Sequence, residues 1–196
     1  MSRSRIGPIV VVVALLALAG LATVAFVPGL MGSGGGGCTD QRQAGLVPTL
    51  EKLVPATLEG RPADRLDSAV TCSPDGLGSL AGHGVASVAS AGGLWELGPA
   101  TGVTLAVFRL DGPERADRIA EFYAEGAAQA PKVANLVTTH PTIAGRPATR
   151  LDFSDANFPQ AIVVWPAAQP DLVHVVLAAG VPDRIVQEAI AAFGES

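Results

Sequence analysis

The side chains here whose types and spacing suit chemistry are three histidines, two cysteines and an Arg-x-Asp pair that occurs twice, at Arg65/Asp67 and Arg150/Asp152. Imidazole serves acid-base chemistry near neutral pH and is a common metal ligand. His83 lies in a glycine-rich stretch and His140 just ahead of a Gly-Arg-Pro turn, while His174, between Leu172 and Val176, reads as a satisfied sheet histidine. None belongs to a His-x-His or HExxH pattern, and there is neither GxSxG nor a phosphate-binding glycine loop followed by Lys and Ser or Thr. An extracytoplasmic hydrolase or metal-dependent enzyme would have to rest on His83 or His140 with nearby acids. No cofactor motif is present.

Residues two apart on a strand share a face, so each Arg-x-Asp can close an internal ion pair or present its charges to an anionic or peptide ligand. Exposed pairs of this kind contribute about 0–1 kcal/mol, and a structural role is the simpler reading for all four residues. Cys38 and Cys72 are the only cysteines. In an exported chain two cysteines most simply form one disulfide, here closing a loop of about 35 residues, with a chain-entropy gain of about 3–4 kcal/mol. The alternatives are zinc, which wants four ligands and finds no histidine nearby, and lipidation, for which a Leu three residues before Cys38 is missing. Trp95 and Trp165 border predicted turns and either line a groove or pack into the core or a sheet edge.

These residues are positioned by a chain that repeats itself. Residues 57–67 (TLEGRPADRLD) recur as residues 142–152 (TIAGRPATRLD), identical at eight of eleven places with an offset of 85. Fixed-offset similarity marks a repeated unit. In each copy Gly-Arg-Pro reads as a turn, because Gly supplies positive φ and Pro fixes its own. Alternation in the strand that follows puts Leu66, Ser68, Val70 and Cys72 on one face and Arg65 and Asp67 on the other; in the second copy Leu151 and Phe153 face the core and Arg150 and Asp152 face out.

A short amphipathic helix is expected around Leu46 to Val54, and residues 102–110 read as a strand. Asp111-Gly112-Pro113-Glu114 then opens a helix whose buried stripe is Ala116, Ile119, Ala120, Tyr123 and Ala127. Residues 137–154 read as a hairpin, residues 160–165 and 172–179 as the two strongest strands, and a final helix buries Ile185, Val186, Ala189, Ile190 and Phe193. The first unit is longer by about the size of residues 73–93, which hold six glycines and read as an inserted spacer or binding loop. The fold class predicted is α+β: mainly antiparallel sheet with packed helices, built from two similar strand-strand-strand-helix units (about 46–130 and 131–196) related by an approximate two-fold axis.

Residues 6–27 are an apolar run about 33 Å long as a helix at roughly 1.5 Å per residue, enough to cross a bilayer. Arg3 and Arg5 precede it and no basic residue follows until Arg42, so the positive-inside rule puts the N-terminus in the cytoplasm and the body outside. The organisation expected is a cytoplasmic tip and anchor (1–31), retained rather than cleaved, a glycine tether (32–37) and one extracytoplasmic domain (38–196). Arg3 and Arg5 are two of 13 basic residues, leaving 11 against 18 acidic ones in the body. That balance argues against nucleic acid as a partner.

The second half, GRPATRLDF at 145–153 through AIVVW at 161–165 to LVHVVLAAG at 172–180 and the closing helix, resembles the extracytoplasmic lipoproteins and anchored domains of bacteria with a PsbP-like or DcrB-like fold. The resemblance implies an envelope or accessory role and assigns no catalytic residue. The function expected is a single-pass, membrane-anchored binding or protein-interaction module of a bacterial envelope. Its partners would be the lipid bilayer, through residues 6–27, and an envelope protein or peptide. The rivals are the enzyme based on His83 or His140 and a purely structural envelope component.

Overall fold

The computed structural model describes residues 38–112, 115–155 and 158–194. The strands are β1 (Gln41–Gln43), β2 (Thr57–Leu58), β3 (Arg61–Pro62), β4 (Arg65–Thr71), β5 (Val88–Gly98), β6 (Thr101–Leu110), β7 (Val133–Thr139), β8 (Thr142–Ile143), β9 (Arg146–Pro147), β10 (Thr149–Asp155), β11 (Phe158–Pro166) and β12 (Leu172–Ala179). The helices are α1 (Pro48–Glu51), α2 (Pro74–Leu77), α3 (Ser79–Gly82), α4 (Arg115–Gln129) and α5 (Asp183–Ala192). Eight strands make one antiparallel sheet in the order β1-β4-β5-β6-β12-β11-β10-β7, while β2/β3 and β8/β9 are separate two-stranded ribbons. The α+β class read from the sequence is therefore present. The apolar run at 6–27 and the glycine tether lie outside the described residues; among the described residues no helix is long and apolar enough to cross a membrane.

Alternation divides the sheet into two buried faces. On the first, Trp95, Val103, Leu105, Val107, Val163, Trp165 and Val176 are covered by Leu50 of α1, Leu58 of β2 and Ile185, Val186, Ala189 and Phe193 on and just beyond α5. On the second, Phe108, Leu151, Phe153, Ile162, Val164, Val173, Val175 and Leu177 lie under Ile119, Ala120, Tyr123 and Ala127 of α4. Every residue of β12 is buried. A strand covered on both faces gains nothing from alternation and becomes continuously apolar, which is why residues 161–165 and 172–179 stand out in the sequence.

The repeated motifs form the same turn. Glu59 and Gly60 have φ of 49° and 74°, Ala144 and Gly145 of 48° and 75°, so each ribbon closes on two left-handed residues, as a type I′ hairpin requires. The expected two-fold relation ends there. The mirrored strand order around the antiparallel pair β6/β12 would need an axis normal to the sheet, which leaves side chains on the face they started from. Instead Leu66 shares its row with Gly93, Leu105, Val176, Val163 and Arg150, so Leu66 and Leu151 point to opposite faces, and α4 and α5 pack on opposite faces as well. The cause is one extra residue. Ala63 and Leu66 lie on the first face, three apart, where the second motif has Ala148 and Arg150, two apart; Asp64 sits in the step, its N–H donating to Leu94 O (2.8 Å) and its Oδ2 accepting from Glu96 N (2.7 Å). A slip of one residue reverses every side chain beyond it.

Residues 73–93 are not a spacer. Leu77, Leu80 and Val85, from α2, α3 and the turn after them, are buried in the second-face core, and residues 88–93 begin the longest strand in the sheet. Gly93 is a packing requirement, because a Cβ there would meet the Trp95 ring at 2.8 Å. The predicted hairpin over 137–154 is also different: β7 pairs directly with β10, and the ribbon β8/β9 is the excursion between them.

Candidate functional site

The cysteines behave as the sequence predicts: Cys38 and Cys72 are bonded, with Cα atoms 5.8 Å apart. The bridge ties the chain just before β1 to the end of β4, and Asp40 completes the join. Its Oδ1 accepts from Cys72 N (2.7 Å) and Ser73 N (2.8 Å), its Oδ2 accepts from the Ser73 hydroxyl, and Ser73 Oγ in turn accepts from Gly76 N to cap α2. Burial pushes the Asp40 carboxyl up, but the hydrogen bonds from Cys72 and Ser73 outweigh it and hold the group below the usual carboxylate range.

The two Arg-x-Asp pairs, on opposite faces, have opposite charge balances. On the first face Arg150 Nε reaches Asp152 Oδ2 at 2.8 Å and its Nη1 reaches Asp183 Oδ1, at the start of α5, at 2.7 Å. One guanidinium thus serves two carboxylates; the hydrogen bond to Asp152, against the opposing cost of burial, and that to Asp183 raise its pKa further. This is a pin between β10 and α5. On the second face Asp67 receives Arg42 in a fork, Nε to Oδ2 at 3.0 Å and Nη2 to Oδ1 at 3.2 Å, and Arg65 Nε lies 3.7 Å from the same Oδ2. Here two guanidiniums serve one carboxylate. The Arg65 side chain is half exposed and meets Asp67 as an ion pair only.

This second cluster stands at the mouth of a cleft. Its other lining residues include Ala69, Ser90, Gly92, Thr104 and Ala106 from β4, β5 and β6, with Phe108, Tyr123 and Leu177 beside them. The sequence makes the space by chain position: α4 packs over the β7, β10, β11 and β12 half of the second face, and beside it the small residues Ala69, Gly92 and Ala106 leave room between larger neighbours. The cleft volume is about 40 Å³. Tyr123 is 1% exposed, and its hydroxyl has no hydrogen-bond partner among the described residues. An unpartnered buried hydroxyl costs about 1–3 kcal/mol, so a polar atom is wanted there; burial also pushes the phenol pKa upward, keeping it a donor. Tyr123 and Arg42 are the residues that sequence reasoning missed. Tyr123 reads as one more member of the α4 stripe, and nothing in the chain order links Arg42 to Asp67.

The histidines do not join this cleft. His83 Nε2 lies 3.4 Å from Glu121 Oε2 on the surface, and His140 Nδ1 lies 3.4 Å from Thr149 Oγ1. His174 is buried between Trp165 and Phe193, stacked on the latter at 4.3 Å, and burial together with the Arg146 charge pushes its pKa down to about 4. Trp95 and Trp165 are core residues; Trp95 Nε1 donates to Arg61 O (2.9 Å), fastening the first ribbon to the sheet. Among the described residues no group of three or more His, Cys, Asp or Glu is placed to hold a metal. The chain matches no protein-family model and no curated protein sequence.

Proposed function

We propose that this protein is a membrane-anchored, extracytoplasmic binding module whose ligand enters the cleft beneath Arg42, Arg65 and Asp67. The observation that carries the reading is a cleft lined by Tyr123, whose buried hydroxyl has no partner among the described residues, with charged groups at its mouth and small apolar residues along its floor, the pattern of a small-molecule site. The location is supported by the 6–27 run behind Arg3 and Arg5 and by the disulfide.

Two experiments test it. Protease added to intact spheroplasts digests the body if the orientation is right, and full protection reverses it. For the cleft, Tyr123 is the only tyrosine in the chain, so the full-length protein in lipid nanodiscs, grown on 3-fluorotyrosine, gives one fluorine resonance from the site. A panel of neutral, cationic and anionic fragments is titrated against it. A saturable shift with any fragment supports a binding cleft; no shift with any of them removes it.

A further inference from the structure

The polar groups of the cleft are sorted by depth. The mouth holds Asp67, Arg42 and Arg65, with side chains 22%, 34% and 50% exposed, and the buried end is lined by Tyr123, whose hydroxyl has no partner among the described residues. At the mouth two guanidiniums face one carboxylate, leaving one positive charge over in a chain whose formal net charge is -5. Arg42 is committed to Asp67 by its fork; Arg65 keeps both terminal nitrogens for a planar, bidentate anion. At depth an ion would lose its hydration to a single phenol donor, so the atom wanted there is a neutral acceptor. The rest of the lining is mainly apolar, with Ala69, Gly92, Ala106, Phe108 and Leu177 beside Ser68, Ser90 and Thr104. A cleft volume of about 40 Å³ leaves no room for a long acyl chain.

Resting on the reading of this cleft as a binding site, we infer that its ligand is a small monocarboxylic acid with a short apolar body bearing one neutral acceptor oxygen: the carboxylate pairs with the Arg65 guanidinium and the oxygen accepts from the Tyr123 hydroxyl. A carboxylate matches the fork of Arg65, the apolar body matches the floor, and the second oxygen satisfies the Tyr123 hydroxyl, a donor buried without a partner among the described residues. Free acids and the carboxyl end of a peptide share this chemistry, and the probes below separate them.

The test uses matched probes on the fluorotyrosine-labelled full chain in nanodiscs: 4-oxopentanoate and 5-oxohexanoate, the acids pentanoate and hexanoate that lack the ketone, the ketones 2-pentanone and 2-hexanone that lack the carboxylate, and the peptide Gly-Ala-Ala. At least one oxo acid is expected to shift the signal saturably, with its plain acid and its ketone about tenfold weaker or worse. Arg65→Gln should bring the oxo acid to within about twofold of its ketone. Tyr123→Phe, which removes the reporter and is followed by calorimetry, should bring it to within about twofold of the plain acid. Tripeptide binding tenfold tighter than any oxo acid moves the assignment to a peptide terminus and overturns the free-acid inference. Equal binding of ketone and oxo acid, or an Arg65→Gln protein with unchanged affinity, overturns it too, while the cleft stands as a binding site. Silence of the whole fragment panel removes both.

Discussion

Arg42 closes on Asp67 from the neighbouring strand, Nε at 3.0 Å from one carboxylate oxygen and Nη2 at 3.2 Å from the other. The fork crosses from β1 to β4, so the three-residue edge strand is held by a side-chain clasp as well as by its ladder. Both side chains are partly exposed, which limits the energy. A double-mutant cycle with Arg42→Ala and Asp67→Ala should give a coupling of about 0.5–1 kcal/mol that shrinks in high salt. A coupling of zero, read by denaturant titration, would mean that the clasp is a solvated contact and that β1 is held by its ladder, Asp40 and the disulfide.

Tyr123 is expected to carry a stability penalty in the absence of ligand. Tyr123→Phe deletes a buried hydroxyl without a partner among the described residues and keeps the ring against Phe108 and Phe122, so the protein should become more stable by up to about 1 kcal/mol. Gly92→Val is the complementary change. A Cβ at Gly92 meets its neighbours at ordinary distances, 3.5 Å from Ala106 Cβ at the closest, so the larger side chain should fold, fill the floor of the cleft and abolish fragment binding. A Tyr123→Phe protein that is less stable by 1 kcal/mol or more would show that the hydroxyl is already satisfied.

The disulfide and Asp40 act on one joint and should be separable by pH. Replacing both Cys38 and Cys72 by Ser releases a loop with a sequence separation of 34 and should cost about 3 kcal/mol at any pH, for an entropic tether. Asp40 has a folded-state pKa below its unfolded one, so the unfolded chain binds the proton first. Its contribution is full above the unfolded value of 3.8 and is lost as pH falls through the lower, folded value. Asp40→Asn should therefore destabilise the protein at neutral pH and converge with wild type in strong acid. Parallel stability curves down to pH 2 would rule out the carboxylate as the source.

His174 gives a second acid-sensitive term, in another window. The unfolded imidazole takes a proton near 6.5 and the buried one only near about 4, so between those values the unfolded state binds more protons and stability falls as pH falls. The loss should approach about 3 kcal/mol by pH 4. His174→Phe, stacked in the same place between Trp165 and Phe193, should flatten that part of the curve. An unchanged slope between pH 6.5 and 4 would place the titrating group elsewhere.

How far the chain could be read from its sequence follows from which interactions are local. Apolar runs such as 172–179 announce a strand because burial on both faces acts on every residue in turn, and the glycine at each Gly-Arg-Pro turn announces positive φ because that demand falls on one residue. Cys38 and Cys72 were legible since an exported chain with two thiols has one simple partner for each. The cleft was not legible, for its parts come together only through sheet order: Arg42 and Asp67 are 25 residues apart, and Tyr123 arrives from a helix over the other half of the sheet. Small residues in 87–93 signalled looseness, yet in a paired strand the same residues make space. The two-fold symmetry failed for a local reason, the step at Asp64, which the pattern of identities hides.

That step yields the sharpest contrast between equivalent positions. Leu66 and Leu151 occupy the same place in the repeated motif, but Leu66 is 39% exposed and Leu151 is 0% exposed. Leu151→Ala should leave a cavity beneath α4 and cost about 2–5 kcal/mol, whereas Leu66→Ala should cost well under half of that. The turns themselves should respond alike: Gly60→Ala and Gly145→Ala place a Cβ on backbones at φ of 74° and 75° with no neighbour within 4 Å, so each is expected to cost about 1 kcal/mol through strain alone. Matched glycine costs beside unmatched leucine costs would establish that the motif copies a turn and that the strands beyond it diverge. Equal costs at Leu66 and Leu151 would restore the symmetric pair of units and require β4 to pair one residue out of the register described above.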